Sequence, residues 1–120
     1  MDWKIDSSRP VYQQIMDHIC QGVLSNKYPP GSRIPSVRDL AAELKVNPNT
    51  IQRAMTELEQ QGLLISNGTL GKFVTEDLDV INTKRQSAIR SVVQECAKRF
   101  RSLGLSMQEA AQLLLEEEVK

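Results

Sequence analysis

Aromatic residues are scarce in this chain: one Trp, two Tyr and two Phe in 120 residues. The Trp and both Phe lie in different regions, so a packed core has to be mostly aliphatic. Charge of one sign is missing too, with Lys+Arg and Asp+Glu at 15 each. That balance excludes a histone-like protein holding nucleic acid by bulk charge. It leaves open a reader whose cations are grouped on one face. No apolar run approaches the ~20 residues needed to cross a bilayer. Met1-Asp2-Trp3-Lys4 opens no signal-peptide stretch either, so a cytoplasmic chain with no membrane partner is expected.

Residues for chemistry are equally thin. The single His, His18, stands beside Asp17, and no Ser or Cys is spaced to use it, so it reads as a surface or interface residue. Cys20 and Cys96 are far apart and form no metal framework with one His. Each falls on an apolar helical stripe, which predicts two buried free thiols in a reducing compartment. Their redox role stays open, although burial opposes reactivity. Glu116-Glu117-Glu118 is most simply a solvated helix end, and no glycine-rich phosphate loop follows a strand. No catalytic residue, metal or cofactor is read, and no enzyme is expected.

What is present is pattern. A hydrophobic content of 40% in 120 residues suits one packed domain with a short accessory segment. Residues 1–9 form an arm, in which Trp3 and Ile5 are expected to pack on the domain or across a dimer. Pro10 then opens a helix near its first position. This helix carries Val11, Ile15, Ile19 and Val23 at i+4 steps, with Tyr12, Met16 and Cys20 in a row beside them. Tyr28-Pro29-Pro30-Gly31 cannot continue it. A second helix spans about Ser36 to Leu44, with Ser36 as N-cap, Asp39 in its first turn and Val37, Leu40, Ala41 and Leu44 inward. Lys45-Val46 is the turn, and Asn47-Pro48 restarts the chain as cap and first helical residue. Helix three turns Ile51, Ala54, Met55 and Leu58 inward and ends at Gly62. Leu63–Ser66 and Lys72–Thr75 then read as short strands around Asn67-Gly68, a strong hairpin signal, with Thr69-Leu70-Gly71 leaving room for a longer loop. Three helices followed by a hairpin make a winged helix-turn-helix over residues 10–76.

Helices two and three, joined by a tight turn, are the unit that lays a recognition helix in the major groove. Asn47, Asn49, Thr50, Gln52 and Arg53 cluster at the start of helix three, with no acid until Glu57. Asn and Gln can bond adenine edges bidentately, and Arg can do so with guanine. Asn49 shares a helix face with Gln52 and with Arg53. Arg38 suits a phosphate beside the groove, unless it pairs with Asp39 or Glu43. Ser36 adds a hydroxyl at a helix N-terminus of partial positive charge. Asn67, Gly68 and Lys72 suit a wing reaching the minor groove or backbone.

Residues 77–120 read as helical throughout. Ile81, Ala88, Ile89, Val92, Val93, Cys96, Phe100 and Leu103 share one stripe, which Gly104 breaks. Ser106-Met107-Gln108-Glu109 is a capping box that starts a last helix with Ala110, Ala111, Leu114 and Leu115 apolar. Two such helices are too small to bury their stripe alone. Ile89, Val92, Val93, Cys96, Phe100, Leu103 and Leu114 are therefore candidate dimerisation residues. The whole is expected to be mainly α with a small β-hairpin wing.

These residues resemble the GntR family of regulators, in its short, YtrA-like branch. The resemblance runs through Pro10-Val11-Tyr12-Gln13-Gln14-Ile15 and Pro30-Gly31-Ser32-Arg33-Ile34-Pro35-Ser36-Val37-Arg38-Asp39-Leu40-Ala41. It continues in Val46-Asn47-Pro48-Asn49-Thr50-Ile51-Gln52-Arg53-Ala54 and Leu58-Glu59-Gln60-Gln61-Gly62-Leu63-Leu64, and closes with Asn67-Gly68-Thr69-Leu70-Gly71-Lys72-Phe73-Val74. It implies a DNA-binding repressor whose homodimer recognises a palindromic operator in double-stranded DNA, with a two-helix C-terminal segment that dimerises. In the short branch it also implies genes beside those of ABC transporters. The implied contacts are Arg38 to phosphate, Asn49, Thr50 and Gln52 or Arg53 to bases, and Asn67-Gly68 at the wing. Pro48-Asn49 stands where many relatives have Ser-Arg or Thr-Arg, so their base preferences do not transfer. Lys72 replaces a Thr of the usual wing motif and adds a candidate phosphate contact. No residue set identifies a small-molecule effector. A second reading, from a different class, is a protein-interaction module on a winged-helix scaffold that does not read DNA, because fold alone does not decide function.

Overall fold

A computed structural model of the chain describes residues 5–117. Trp3 of the arm and Glu118 of the terminal acidic run lie outside the described residues. The order is α1 (Val11–Leu24), α2 (Val37–Leu44), α3 (Pro48–Gln60), β1 (Leu64–Ser66), β2 (Lys72–Val74), α4 (Leu78–Ser102) and α5 (Met107–Glu116). The chain divides into two compact units, residues 1–83 and 84–120, and the division falls inside α4.

The first unit is held by an aliphatic core, as the shortage of aromatics requires. Ile15, Ile19 and Val23 of α1, Leu40 of α2 and all four inward residues of α3 are buried. Val11, Tyr12, Met16 and Cys20 are half-buried against that cluster, as are Val37, Ala41 and Leu44. Pro10 is the residue that caps α1 rather than its first turn, and Gln14 N reaches back to its carbonyl at 3.3 Å. The arm is fastened from α1 by Gln14, a buried polar side chain. Its Oε1 accepts from Asp6 N at 2.7 Å, and its Nε2 donates to Arg9 O at 3.0 Å and also to Asp6 O. Amide to backbone pairing removes the cost of burying Gln14 unbonded.

The hairpin pairs Leu64 with Val74, Ile65 with Phe73 and Ser66 with Lys72. Its loop is longer than two residues: Gly68–Leu70 form a 3-10 turn, and Asn67 N donates to Gly71 O at 2.9 Å. A third extended segment joins the edge of β2, with Arg33 bridged to Phe73, Val74 N bonded to Ser32 O at 2.8 Å and Ile34 N to Lys72 O at 3.0 Å. Leu63 N to Leu58 O and Thr75 N to Leu63 O tie the sheet to the end of α3. Ile81, read from sequence as the start of the C-terminal stripe, is instead buried in this first core.

In the second unit, α4 ends at Ser102 and Gly104 turns the chain, with Leu105 N bonded to Phe100 O at 3.1 Å. The capping box forms as expected: Ser106 Oγ accepts from Glu109 N, and Glu109 Oε1 accepts from Ser106 N, each at 3.1 Å. Those bonds favour the ionised Glu109 carboxylate and lower its pKa. Ala110 is buried, but Ile89, Val92, Val93, Leu103 and Leu114 stand 49–76% exposed. Cys96 and Phe100 are half-buried, and both cysteines are free thiols less deeply covered than the stripes predicted. No described helix is long and apolar enough to cross a membrane.

A core built this way makes one expectation sharp. Leu58→Ala, at a fully buried site, is expected to lower unfolding stability by about 2–5 kcal/mol. Leu70→Ala, in the exposed wing loop, should change it by under about 0.5 kcal/mol. Urea denaturation followed by far-UV circular dichroism measures both, and equal losses would contradict the core described.

Candidate nucleic-acid interface

The start of α3 is built by local chemistry. Asn47 caps the helix, its Oδ1 accepting from Asn49 N at 2.8 Å, and Pro48 occupies the first position, where a missing N–H costs nothing. The amide oxygen of Asn47 is thereby committed to the backbone. With Ile51, Ala54, Met55 and Leu58 buried, the helix presents Asn49, Gln52 and Arg53 exposed and Thr50 half-exposed. Gln52 Nε2 lies 3.3 Å from Thr56 Oγ1 one turn on. The Arg53 guanidinium lies over the ring of Tyr12, 3.7 Å from its centroid. This cation–π contact with α1 restrains a side chain that would otherwise sample many rotamers.

Ser36 caps α2, accepting from Asp39 N at 3.0 Å while its own O–H is left to donate elsewhere. Arg38 is exposed in the first turn of that helix and forms no ion pair with Asp39 or Glu43 among the described residues. The turn between the helices is closed by Lys45 in the left-handed conformation, φ 56°.

At the wing, Asn67, Gly68 and Thr69 are exposed, and nothing lies within 4 Å of where a Cβ on Gly68 would stand. Lys72 points the other way. Its ammonium is ion-paired with Glu59 near the end of α3 and donates to Ser66 Oγ at 2.9 Å. The carboxylate oxygen it meets is buried, so this lysine seats the hairpin on the helix. Arg33, which the sequence reading passed over as part of a longer motif, is exposed, and its side chain lies along the hairpin over Gly71. Of the ten residues expected to meet DNA, Arg38, Asn49, Gln52, Arg53, Asn67 and Gly68 are exposed and Ser36 and Thr50 half-exposed, while Lys72 is turned inward and the Asn47 side chain is occupied by capping. The structure adds Tyr12, Glu59 and Arg33. Tyr12 had been read only as a core neighbour, and its pairing with Arg53 is a contact between helices that no spacing within either helix reveals.

His18 is half-buried on α1. Burial pushes its pKa down; Lys27 adds to the effect and Glu43 opposes it.

The family described as bacterial regulatory proteins, gntR family, matches residues 11–74. The chain is 36% identical over 109 residues to the HTH-type transcriptional regulator YhcF of Bacillus subtilis, covering 91% of this chain and 90% of that protein. It is 37% identical over 71 residues to the HTH-type transcriptional repressor YtrA of the same organism, covering 59% and 55%. A GntR family transcriptional regulator from Listeria monocytogenes superposes with a TM-score of 0.86 at 31% identity, covering 94% of this chain and 99% of that one. The AraR DNA-binding domain solved in complex with operator ORR3 superposes with a TM-score of 0.52 at 33% identity, over 53% of this chain and 77% of that one.

The cap on α2 offers a local check of this geometry. Ser36→Ala is expected to cost about 1 kcal/mol. The Asp39 amide that Ser36 now holds should exchange faster with deuterium. Unchanged exchange at Asp39 would show that the cap is not formed in solution.

Proposed function

This chain belongs to the gntR family of bacterial regulatory proteins, and from that premise we propose that it is a homodimeric repressor of a palindromic operator. As a helix-turn-helix transcriptional regulator it binds DNA. The finer reading rests on one observation above the others. The inward face of α3 is wholly buried and the opposite face carries exposed Asn49, Gln52 and Arg53, while Arg38 on α2 is exposed with no ion-pair partner among the described residues. Exposed amides and a guanidinium on one helix face match base edges in the major groove.

In this reading Arg38 and the N-terminus of α2 capped by Ser36 hold phosphates. Asn49, Thr50, Gln52 and Arg53 read bases, and Asn47 keeps that helix start in register. Asn67-Gly68 enters the neighbouring minor groove, and Lys72 supports the wing, meeting phosphate only by exchanging its Glu59 partner. The exposed stripe of Ile89, Val92, Val93, Leu103 and Leu114, with half-buried Cys96 and Phe100 beside it, packs on a second copy. An apolar stripe of this extent is otherwise left in water. A two-fold dimer sets two recognition helices about 34 Å apart, one turn of DNA. In the same reading the chain works in the cytoplasm, and the short-branch resemblance supports an operator beside an ABC-transporter operon.

Titration of the purified protein against its own upstream intergenic DNA, with random duplex as competitor at two salt concentrations, tests this. Wild type should bind that DNA selectively, with affinity falling steeply as salt rises. Arg38→Ala should weaken binding to every duplex. Asn49→Ala should cost about 1–3 kcal/mol at the base it reads and relax selectivity there. Failure of the wild type to prefer that DNA, or any member of a random pool, would favour the protein-interaction module instead. Separately, Val92→Glu is expected to convert a sedimenting dimer to monomer with its circular dichroism intact; a wild type that is monomeric at all concentrations would remove the two-fold operator.

A further inference from the structure

The geometry points to Arg33 as a further phosphate-binding residue of the DNA surface, reaching the backbone from the root of the wing. This inference rests on the DNA-reading function proposed above and adds a residue to it.

Charge makes such a residue necessary. The first unit, residues 1–83, carries eight Lys and Arg against ten Asp and Glu. A domain of net negative charge cannot approach a polyanion on its average field, so each unneutralised cation has to be well placed. Arg9 is paired with Asp17 at 2.6 Å and Lys72 with Glu59. Lys27 sits 5.5 Å from the Tyr28 ring centroid, and Arg53 is stacked on Tyr12. Arg33, Arg38 and Lys45 are the remaining cations of this unit among the described residues; all three are exposed with no ion-pair partner there, and Lys45 lies in the turn that closes α2.

Position makes Arg33 suitable. The bridge to Phe73 and the Ile34 N to Lys72 O bond lock its backbone onto β2. Side chains alternate across a sheet. Lys72 therefore faces inward to Glu59, while Arg33 and Phe73 share the outer face. The guanidinium then lies over Gly71, the last residue of the wing loop. A Cβ there would stand 2.9 Å from Arg33 Nε and 3.4 Å from Nη2. Gly71 also has φ +119°, a conformation that L side chains rarely adopt. Glycine thus leaves the space that the guanidinium fills. The wing has two cations with separate tasks, Lys72 holding it to the body and Arg33 presenting N–H donors in a fork that matches phosphate oxygens.

Arg33→Gln, Arg33→Lys and Arg38→Ala would be titrated against the upstream duplex and a random duplex across a salt series, with thermal melts alongside. Arg33→Gln should melt like wild type and bind both duplexes about tenfold more weakly. Its slope of log affinity against log salt should be shallower by about 0.9. Arg33→Lys should keep the wild-type slope. If Arg33→Gln keeps both affinity and slope while Arg38→Ala loses them, Arg33 makes no phosphate contact and the proposed function still stands. A change confined to selectivity, with the slope intact, would also overturn the phosphate role. If the wild type itself shows no salt-dependent binding to any duplex, the proposed function fails and this inference fails with it.

Discussion

Burying Ile51, Ala54, Met55 and Leu58 removes one face of α3 from water completely, and that burial determines where the opposite face must point. A helix cannot rotate about its axis without exposing this stripe, and a rotation that exposed even one such side chain would cost about 1.5–3 kcal/mol. Asn49, Gln52 and Arg53 are therefore held outward by residues that are themselves wholly buried. The same packing anchors the wing, because the backbone of Leu63 is bonded to Leu58 and that of Thr75 to Leu63. The outward face of α3 and the hairpin are thus both fixed by the same buried core.

Electrostatics then refines what packing has placed. Ion pairs and ring contacts occupy Arg9, Lys72, Lys27 and Arg53. The ion pairs offset the charges of Arg9 and Lys72, while the ring contacts restrain Lys27 and Arg53 without neutralising them. A reader organised in this way gains little from bulk attraction and depends on where individual guanidinium groups stand. Glu59 illustrates the trade. This acid near the end of α3 has its charge met by Lys72, and the pair seats the hairpin on the helix.

Much of this was legible in the chain because the signals are local. Periodicity located Ile15, Ile19 and Val23 of α1 and all four buried residues of α3, whereas Val11 is only half-buried and the burial of Gln14 was not legible. Ser36, Asn47 and Ser106 act as caps where their side chains precede helical stripes, and all three bonds are present. Asn67-Gly68 marked the hairpin, though the loop closes through Gly71 because a 3-10 turn intervenes. The third sheet segment at Arg33 was not legible, since its pairing partner lies 40 residues further along the chain. The inward turn of Lys72 was missed for a similar reason: its attraction is to Glu59, on a different element. Ile81 fits a helical stripe equally well on either side of the unit boundary, and only the packing shows that it belongs to the first core.

The sequence by itself determined the elements, their caps, the aliphatic character of the core and the polar start of α3, because each depends on residues within a turn or two of one another. Only the tertiary structure decided which cations are already spoken for, which face of the hairpin each side chain takes, and that Arg33 lies over Gly71. Those outcomes depend on side chains from separate elements meeting in space. No periodicity within a single element encodes such a meeting.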